Sequence, residues 1–267
     1  MAVAVVVHGG KPHLDDLVFA SLVLAENPGI PCYRRDPTTD ELNDPEVVVG
    51  DVGGRLQPSL NNYDHHQSTA LACASHLLNL DLQLGLERLP WWERMSVTDT
   101  KGPAAAALAL GLPRFPWELL SPVENWLLGL FGERAVILPG SFLHEALSLF
   151  GLGLLAQAEE LALAQAAAQG LPEPILVKGL EVGVISEELP RGAVGEYRKK
   201  YPNLAVIISP DDRGPGWSLL RLEDHPRVDF RRVETGACGF VHAGGFVAKT
   251  REMSLEEAII LVGQAIE

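Results

Sequence analysis

The stretch Tyr63-Asp64-His65-His66-Gln67 sets three ionisable side chains in a row, two of them imidazoles. A strand sends neighbouring side chains to opposite faces, whereas a loop can aim two of them at one point. One imidazole can then bind a metal ion, the aspartate can orient a ring, and the second imidazole can face a substrate. The alternative is a solvated polar loop, because Asn61 and Asn62 precede the stretch. Histidine or aspartate recurs at three further places in the first hundred residues, and that favours a site.

His8, His13, Asp15 and Asp16 fall within one short segment. Acidic residues cap helices well, so one of Asp15 and Asp16 is expected to cap the helix that follows. Asp51 follows a β-branched run and precedes Val52-Gly53-Gly54, which suits a ligand position open to a phosphate. Asp99, in Val97-Thr98-Asp99-Thr100-Lys101-Gly102, is the fourth candidate. Near the other end, Gly239–Phe246 contains His242, Gly244 and Gly245 and is followed by Lys249-Thr250-Arg251. Paired glycines let a backbone approach a ligand closely, and His242, Lys249 and Arg251 can donate to a phosphate. The competing reading there is a glycine turn with basic residues on a solvated face. His76 and His144 read as packed or structural.

The elements that must hold these residues follow from periodicity. Ala2–Val7 and Pro45–Gly50 are short continuous β-branched runs, fit for buried parallel strands, and Pro31–Arg35 reads as a third. Leu17–Glu26, Thr69–Leu80, Pro103–Leu112, Pro116–Phe131 and Ser141–Gln169 read as helices, the last ended by Gly170 and Pro172. A strand, a Gly-rich turn and a helix place His8 to Asp16 at the carboxyl end of a strand, where open α/β sheets bind ligands. From Pro174 the texture changes. Ile175–Ile185, Leu204–Ser209 and Gly216–Leu222 read as strands, with helices at Val194–Tyr201 and Ser254–Ile266. That pattern predicts an antiparallel sheet with helices on one side. The chain is therefore expected to be an α/β protein. A parallel-sheet domain spans 1–140, a linking helix 141–172, and a smaller α+β domain with a mainly antiparallel sheet 173–267.

The chain has 267 residues, 47% hydrophobic, and a formal net charge of −14. Residues 1–169 carry a net −11 and residues 170–267 a net −3. Such acidity argues against long-range attraction to a nucleic-acid polyanion, although carboxylates that hold divalent cations invert the local sign. Cys32, Cys73 and Cys238 match no zinc or redox spacing and read as reduced thiols of a cytoplasmic protein. The apolar start lacks a basic region and reads as a strand, not a signal peptide. No uncharged run reaches the ~18 residues of a membrane span.

Taken together, the four elements in order, His8/His13/Asp15, Asp51, Asp64-His65-His66 and Asp99, resemble the DHH phosphoesterase superfamily. Within it, the spacing of His8, His13 and Asp15 is similar to the melanocyte-proliferating-gene-product family. Arg35-Asp36-Pro37, Asp51-Val52-Gly53-Gly54, Tyr63–Gln67, Phe240-Val241-His242-Ala243 and Lys249-Thr250-Arg251 also look like segments of that family. The chain is short for it, and residues 104–170 match little in it. The resemblance implies a two-metal hydrolase, typically manganese-dependent, that cleaves phosphoesters in short RNA or nucleotides, with 3′-to-5′ exonucleases among its relatives. It implies a first domain that holds metals and a second that closes over the substrate.

On that reading His8, His13, Asp51 and Asp99 hold one ion. Asp15, Asp51, His65 and, as a second possibility for its carboxylate, Asp99 hold the other. Asp51 bridges, because two ions ~3.5–4 Å apart need a shared ligand. Asp64 orients an imidazole, and His66 stabilises charge or protonates the leaving oxygen. His242, Gly244, Gly245, Lys249, Arg251 and Arg35 contact the substrate. Imidazole and carboxylate ligands without thiolate suit Mn²⁺, with Mg²⁺, Co²⁺, Zn²⁺ or Fe²⁺ as other occupants. The expected partner is a short nucleic acid or nucleotide, not a membrane, and a homodimer is left open. Two other readings stand. Pro12-His13-Leu14-Asp15-Asp16 resembles a motif of zinc-dependent N-deacetylases, although Leu17 stands where those carry Glu. A non-catalytic nucleotide-binding regulator is the other.

Overall fold

In a computed structural model the described residues are 2–109, 111, 122–234 and 236–267. The chain divides into two compact units, Met1–Glu159 and Glu160–Glu267.

The first unit is built on β1 (Ala4–Val7), α1 (Leu14–Glu26), β2 (Cys32–Arg34), α2 (Thr39–Asn43) and β3 (Val47–Gly50). Then come β4 (Leu56–Gln57), β5 (Asn62–Tyr63), α3 (Ala74–Leu82), α4 (Trp92–Ala109), α5 (Pro122–Gly132), β6 (Val136–Ile137) and the start of α6 (Phe142–Gly170). The sheet order is β4-β5-β3-β1-β2-β6. Its four central strands are parallel, and β4 and β6 are antiparallel edges.

Every residue of β1 and β3 is buried, which explains their unbroken valine runs. A strand covered on both faces has no polar face to alternate with. Val6 and Val49 face a cluster with Val47, Val52 and Leu42. On the other face lies α1, whose residues Asp15 to Leu24 are all buried. Each fully buried valine contributes about 1.5–3 kcal/mol. Two glycines are dictated by close approach. A Cβ at Gly50 would collide with the Phe19 ring of α1, and one at Gly151 with the Ser21 carbonyl.

α1 begins three residues earlier than periodicity indicates, because the Asp16 carboxylate accepts the His13 N–H. α4 is broken at Gly102 (φ 77°), so the helix predicted from Pro103 follows an earlier helical segment. The predicted helix Pro116–Phe131 is observed from Pro122, and its first part lies outside the described residues. α6 is long and apolar enough to cross a bilayer by length and composition. Its Leu143, His144 and Leu147 are nevertheless buried, and His144 Nε2 lies 2.8 Å from the Ile30 carbonyl. His144 is thus structural.

The second unit holds β7 (Ile175–Val177), β8 (Leu180–Val184), α7 (Ala193–Lys200), β9 (Leu204–Pro210), β10 (Trp217–Arg221), β11 (Cys238–Val241), β12 (Val247–Thr250) and α8 (Leu255–Ala265). Its sheet, β11-β12-β10-β9-β8-β7, is antiparallel except for the β8–β9 pair. Three expectations need correction here. The run Ile175–Ile185 is a hairpin, turned at Lys178 (φ 47°) and Gly179 (φ 79°). The Gly239–Phe246 segment is part of another hairpin, β11–β12. Helices cover both faces of this sheet, not one. Val206, Ile208 and Leu219 pack with α8 residues Ala258, Leu261 and Val262, whereas Leu204 and Ile207 pack with Tyr197 of α7 and Ala168 of α6. Alternation along β9 separates the two clusters.

Candidate metal centre

Strand register brings the first donors together. Val7 pairs with Gly50, and Gly50 with Tyr63. The residues that follow, His8, Asp51 and Asp64, therefore stand side by side at the carboxyl edge of three parallel strands. Asp51 has φ 59°, in the left-handed region. Among side-chain residues Asp is one of the few that visits it readily. Its amide donates to the Tyr63 carbonyl at 3.2 Å, which fixes the turn.

His65 Nε2 lies 2.9 Å from Asp51 Oδ1 and 3.0 Å from Asp99 Oδ2. Asp99 Oδ1 lies 3.6 Å from His13 Nδ1, so α4 touches both the Asp-His-His stretch and the loop after β1. His8 Nδ1 is 4.0 Å from Asp16 Oδ2, and the rings of His8 and His13 stack at 5.7 Å. Three groups result, with the donor atoms of each within 4.8 Å of one another. They are His8, His13, Asp16 and Asp51; Asp15, Asp51, His65 and Asp99; and Asp51, His65 and His66. Asp51 is common to all three.

The carboxylates are unusual in their surroundings. Asp15, Asp16 and Asp51 are each at most 1% exposed. Among the described residues Asp16 and Asp51 pair with imidazoles, not with Lys or Arg, and Asp15 forms no ion pair. Three buried polar atoms here have no hydrogen-bond partner: His8 Nδ1, Asp16 Oδ1 and Asp51 Oδ2. Buried polar atoms are normally satisfied, so this cluster of orphans needs an explanation. Burial, with the repulsion of Asp51 and Asp99, pushes the Asp15 carboxyl up to about 7. Burial and Asp51 push Asp16 up to about 9. Burial would lower the His65 imidazole, but its bonds to Asp51 and Asp99 outweigh that and lift it to about 10. Crowding of buried carboxylates thus favours their protonated forms, the condition that a bound cation would relieve. The donor set is carboxylate and imidazole with no thiolate, and it fits a pair of hard or borderline divalent ions.

Two carboxylates also serve the scaffold. Asp15 accepts the amides of Ala74 and Ser75 at 2.9 and 3.0 Å, and the Ser75 hydroxyl as well. It thereby anchors the N-terminus of α3, where a negative charge is favoured. Asp16 caps its own helix through Oδ2 while Oδ1 stays free. Asp16 is the donor that sequence reasoning passed over. The doubled acid was the only signal, and capping accounted for it.

Asp64 is buried and its Oδ1 lies 2.7 Å from His66 Nδ1. Burial raises the Asp64 carboxyl, but the bonds from His66 and from the Gly54 amide prevail and hold it below its ordinary value. The His66 side chain is 55% exposed, whereas that of Asp64 is 2% exposed.

Arg35 is in the first unit and is engaged by Glu41 through two bonds of 2.9 and 2.6 Å. The remaining candidates lie in the second unit. The His242 ring packs 4.1 Å from that of Phe246, and its Nδ1 accepts the Gly244 amide at 3.0 Å. Lys249 Nζ is 2.7 Å from Asp211 Oδ1. Arg251 Nε donates to the Gly236 carbonyl at 3.2 Å. Gly245 (φ 66°) has its open side filled by Asp229, so its missing side chain is explained within the unit.

No protein-family model and no curated protein matches the chain. Among solved structures it is similar to PggH, a pGpG-specific phosphodiesterase from Vibrio cholerae, with 13% identity, a TM-score of 0.31 and 99% of each chain covered. It is also similar to RecJ from Thermus thermophilus, solved with Mg²⁺ (15% identity, TM-score 0.34) and with Mn²⁺ (15%, 0.31). The match covers 98% of this chain but 49% of the Mg²⁺-bound RecJ chain and 51% of the Mn²⁺-bound one, so the chain spans about half the length of RecJ.

Proposed function

We propose that the chain is a phosphoesterase that uses two divalent ions, Mn²⁺ by preference, to hydrolyse phosphodiester bonds in short RNA or nucleotides, in the manner of a 3′-to-5′ exonuclease. The observation that carries this reading is the sharing of Asp51 between two four-donor groups, with one buried oxygen of that carboxylate still unpartnered. A single-zinc deacetylase would leave Asp51 and Asp99 idle, yet both lie among the other donors.

His8, His13, Asp16 and Asp51 would hold one ion, and Asp15, Asp51, His65 and Asp99 the other. When bound, the pair supplies Lewis acidity toward a phosphoryl oxygen and the attacking water. His65 must give up its proton to serve as a ligand, since only neutral imidazole coordinates. His66 holds its place because Asp64 fixes Nδ1, and Nε2 can then pass a proton to the leaving oxygen. His242, Lys249 and Arg251 would contact substrate phosphate. The net charge of −14 suits a short substrate better than a long duplex, which favours a basic groove.

The test is Asp51→Asn. Manganese content and hydrolysis of bis(p-nitrophenyl) phosphate are measured beside circular dichroism. The expected result is a folded protein with less bound manganese and turnover at least ~10³-fold lower, the scale of losing an electrostatic centre. Unchanged turnover removes the assignment. Short RNA, short DNA and pyrophosphate, assayed side by side, define the substrate.

A further inference from the structure

Arg34, the last residue of β2, is 5% exposed and forms no ion pair among the described residues. Its partners are backbone carbonyls from two separate places. Nη2 donates to Gly10 O at 3.0 Å, while Nη1 donates to Phe131 O at 3.2 Å and Gly132 O at 3.0 Å. The guanidinium also lies 4.7 Å from the centre of the Phe131 ring. Phe131 and Gly132 end α5, and the last carbonyls of a helix lack partners inside it and carry its negative dipole end. Gly10 lies between His8 and His13 at φ 78°. A second contact joins the same two segments, since a Cβ at Gly132 would come within 2.7 Å of Pro12 Cγ.

We propose that the end of α5, joined through Arg34 to the loop after β1, is a positioning device that holds His8 and His13 in register with Asp16 and Asp51. It thereby governs one of the two ion sites more strongly than the other. This inference rests on the two-ion reading above. Of the donors, His8, His13 and Asp16 lie on or next to the pinned loop and belong only to the first group. The second group shares Asp51 and touches the loop through Asp99 and His13, but it has anchors of its own: Asp15 on the N-terminus of α3, His65 on Asp51 and Asp99, and Asp99 on α4. A guanidinium suits the task because its planar fork reaches two segments at once. A lysine ammonium is a compact point charge on a flexible stem and cannot hold both in fixed geometry. The end of α5, Phe131 and Gly132, thereby acquires a role in metal binding.

The experiment compares wild-type protein with R34M, R34K and G132A. Mn²⁺ binding is followed by titration calorimetry, and spin coupling between the two ions by electron paramagnetic resonance. R34M is expected to keep one ion near wild-type affinity and to bind the second at least ~10-fold more weakly. The coupled spectrum should give way to that of an isolated ion. R34K should not restore the pair. G132A, which presses on Pro12 with Arg34 intact, should weaken the same site to a lesser degree, and it carries the test if R34M loses its fold. Two ions bound by R34M or G132A as tightly as by wild type overturn the inference and leave the functional reading standing. Equal weakening of both sites in a folded variant also overturns it. Wild-type protein that binds no manganese pair overturns the functional reading itself, and this inference with it.

Discussion

His65 Nε2 lies 2.9 Å from Asp51 Oδ1, a buried imidazole held against a carboxylate whose other oxygen has no partner. On the proposed two-ion reading, this pair stands where a metal-bound one would form. The turn at Asp51 is fixed by its own backbone, whose amide donates to the Tyr63 carbonyl, and on that reading an arriving cation would displace the proton on His65.

Stability of metal-free protein should therefore fall as pH rises. Asp15 and Asp16 are raised to about 7 and about 9, so the native state holds protons that the unfolded chain releases near its ordinary carboxyl pKa. Their stabilising share is complete below about pH 4 and is lost as pH climbs through those two values. His65, raised to about 10, acts in the same direction above its ordinary pKa. Melting with EDTA present should show Tm declining between pH 5 and pH 9. Added Mn²⁺ should raise Tm most at the alkaline end. A Tm that rises over that range would mean the carboxylates are not proton-held.

Ion binding should also expel protons. Calorimetric titrations with Mn²⁺ at pH 7, run in buffers of different ionisation enthalpy, should show net release, because Asp16 and His65 must both deprotonate to coordinate. Heats independent of the buffer would contradict this.

Asp64→Asn separates ring orientation from metal binding. Asp64 contacts His66 and the Gly54 amide and belongs to none of the three donor groups. The variant should keep its manganese and lose about 10²–10⁴-fold in kcat, the usual worth of a placed proton donor. KM should change little. Loss of metal on the scale of Asp51→Asn would assign Asp64 a different task.

Asp15→Ala should destabilise the fold whether or not metal is present, because it strands the amides of Ala74 and Ser75 at the buried start of α3. Each orphaned donor costs about 1–3 kcal/mol. Urea denaturation at pH 5 in EDTA isolates this effect. The comparison is His8→Ala, whose half-exposed ring has no hydrogen-bond partner at Nδ1 and whose loss should cost little.

The central strands of the first unit were legible because burial on both faces demands unbroken apolar runs, and β1 and β3 show them plainly. Asp51 was legible for a related reason, as an acid at the end of such a run. β5 was not. Asn62 reads as solvated, yet it is fully buried, with its amide donating to the Leu42 and Leu60 carbonyls. Two-residue strands carry no periodicity to detect. Asp16 was hidden by its second role as a cap. The contact from Asp99 to the β1 loop depends on how α4 packs, which no local pattern encodes. The β11–β12 hairpin was masked by its glycines, which weaken strand propensity.

The left-handed backbone of Asp51 restricts what evolution or an experimenter can place there. Glycine and asparagine tolerate that conformation, whereas Val, Ile or Thr would be strained whatever their chemistry. Asparagine can thus erase the charge without disturbing the peptide path. If Asp51 carries the proposed reaction, drift at this position is channelled toward an inert but intact scaffold, and a relative without that reaction would be expected to carry asparagine or glycine there while preserving the surrounding strands.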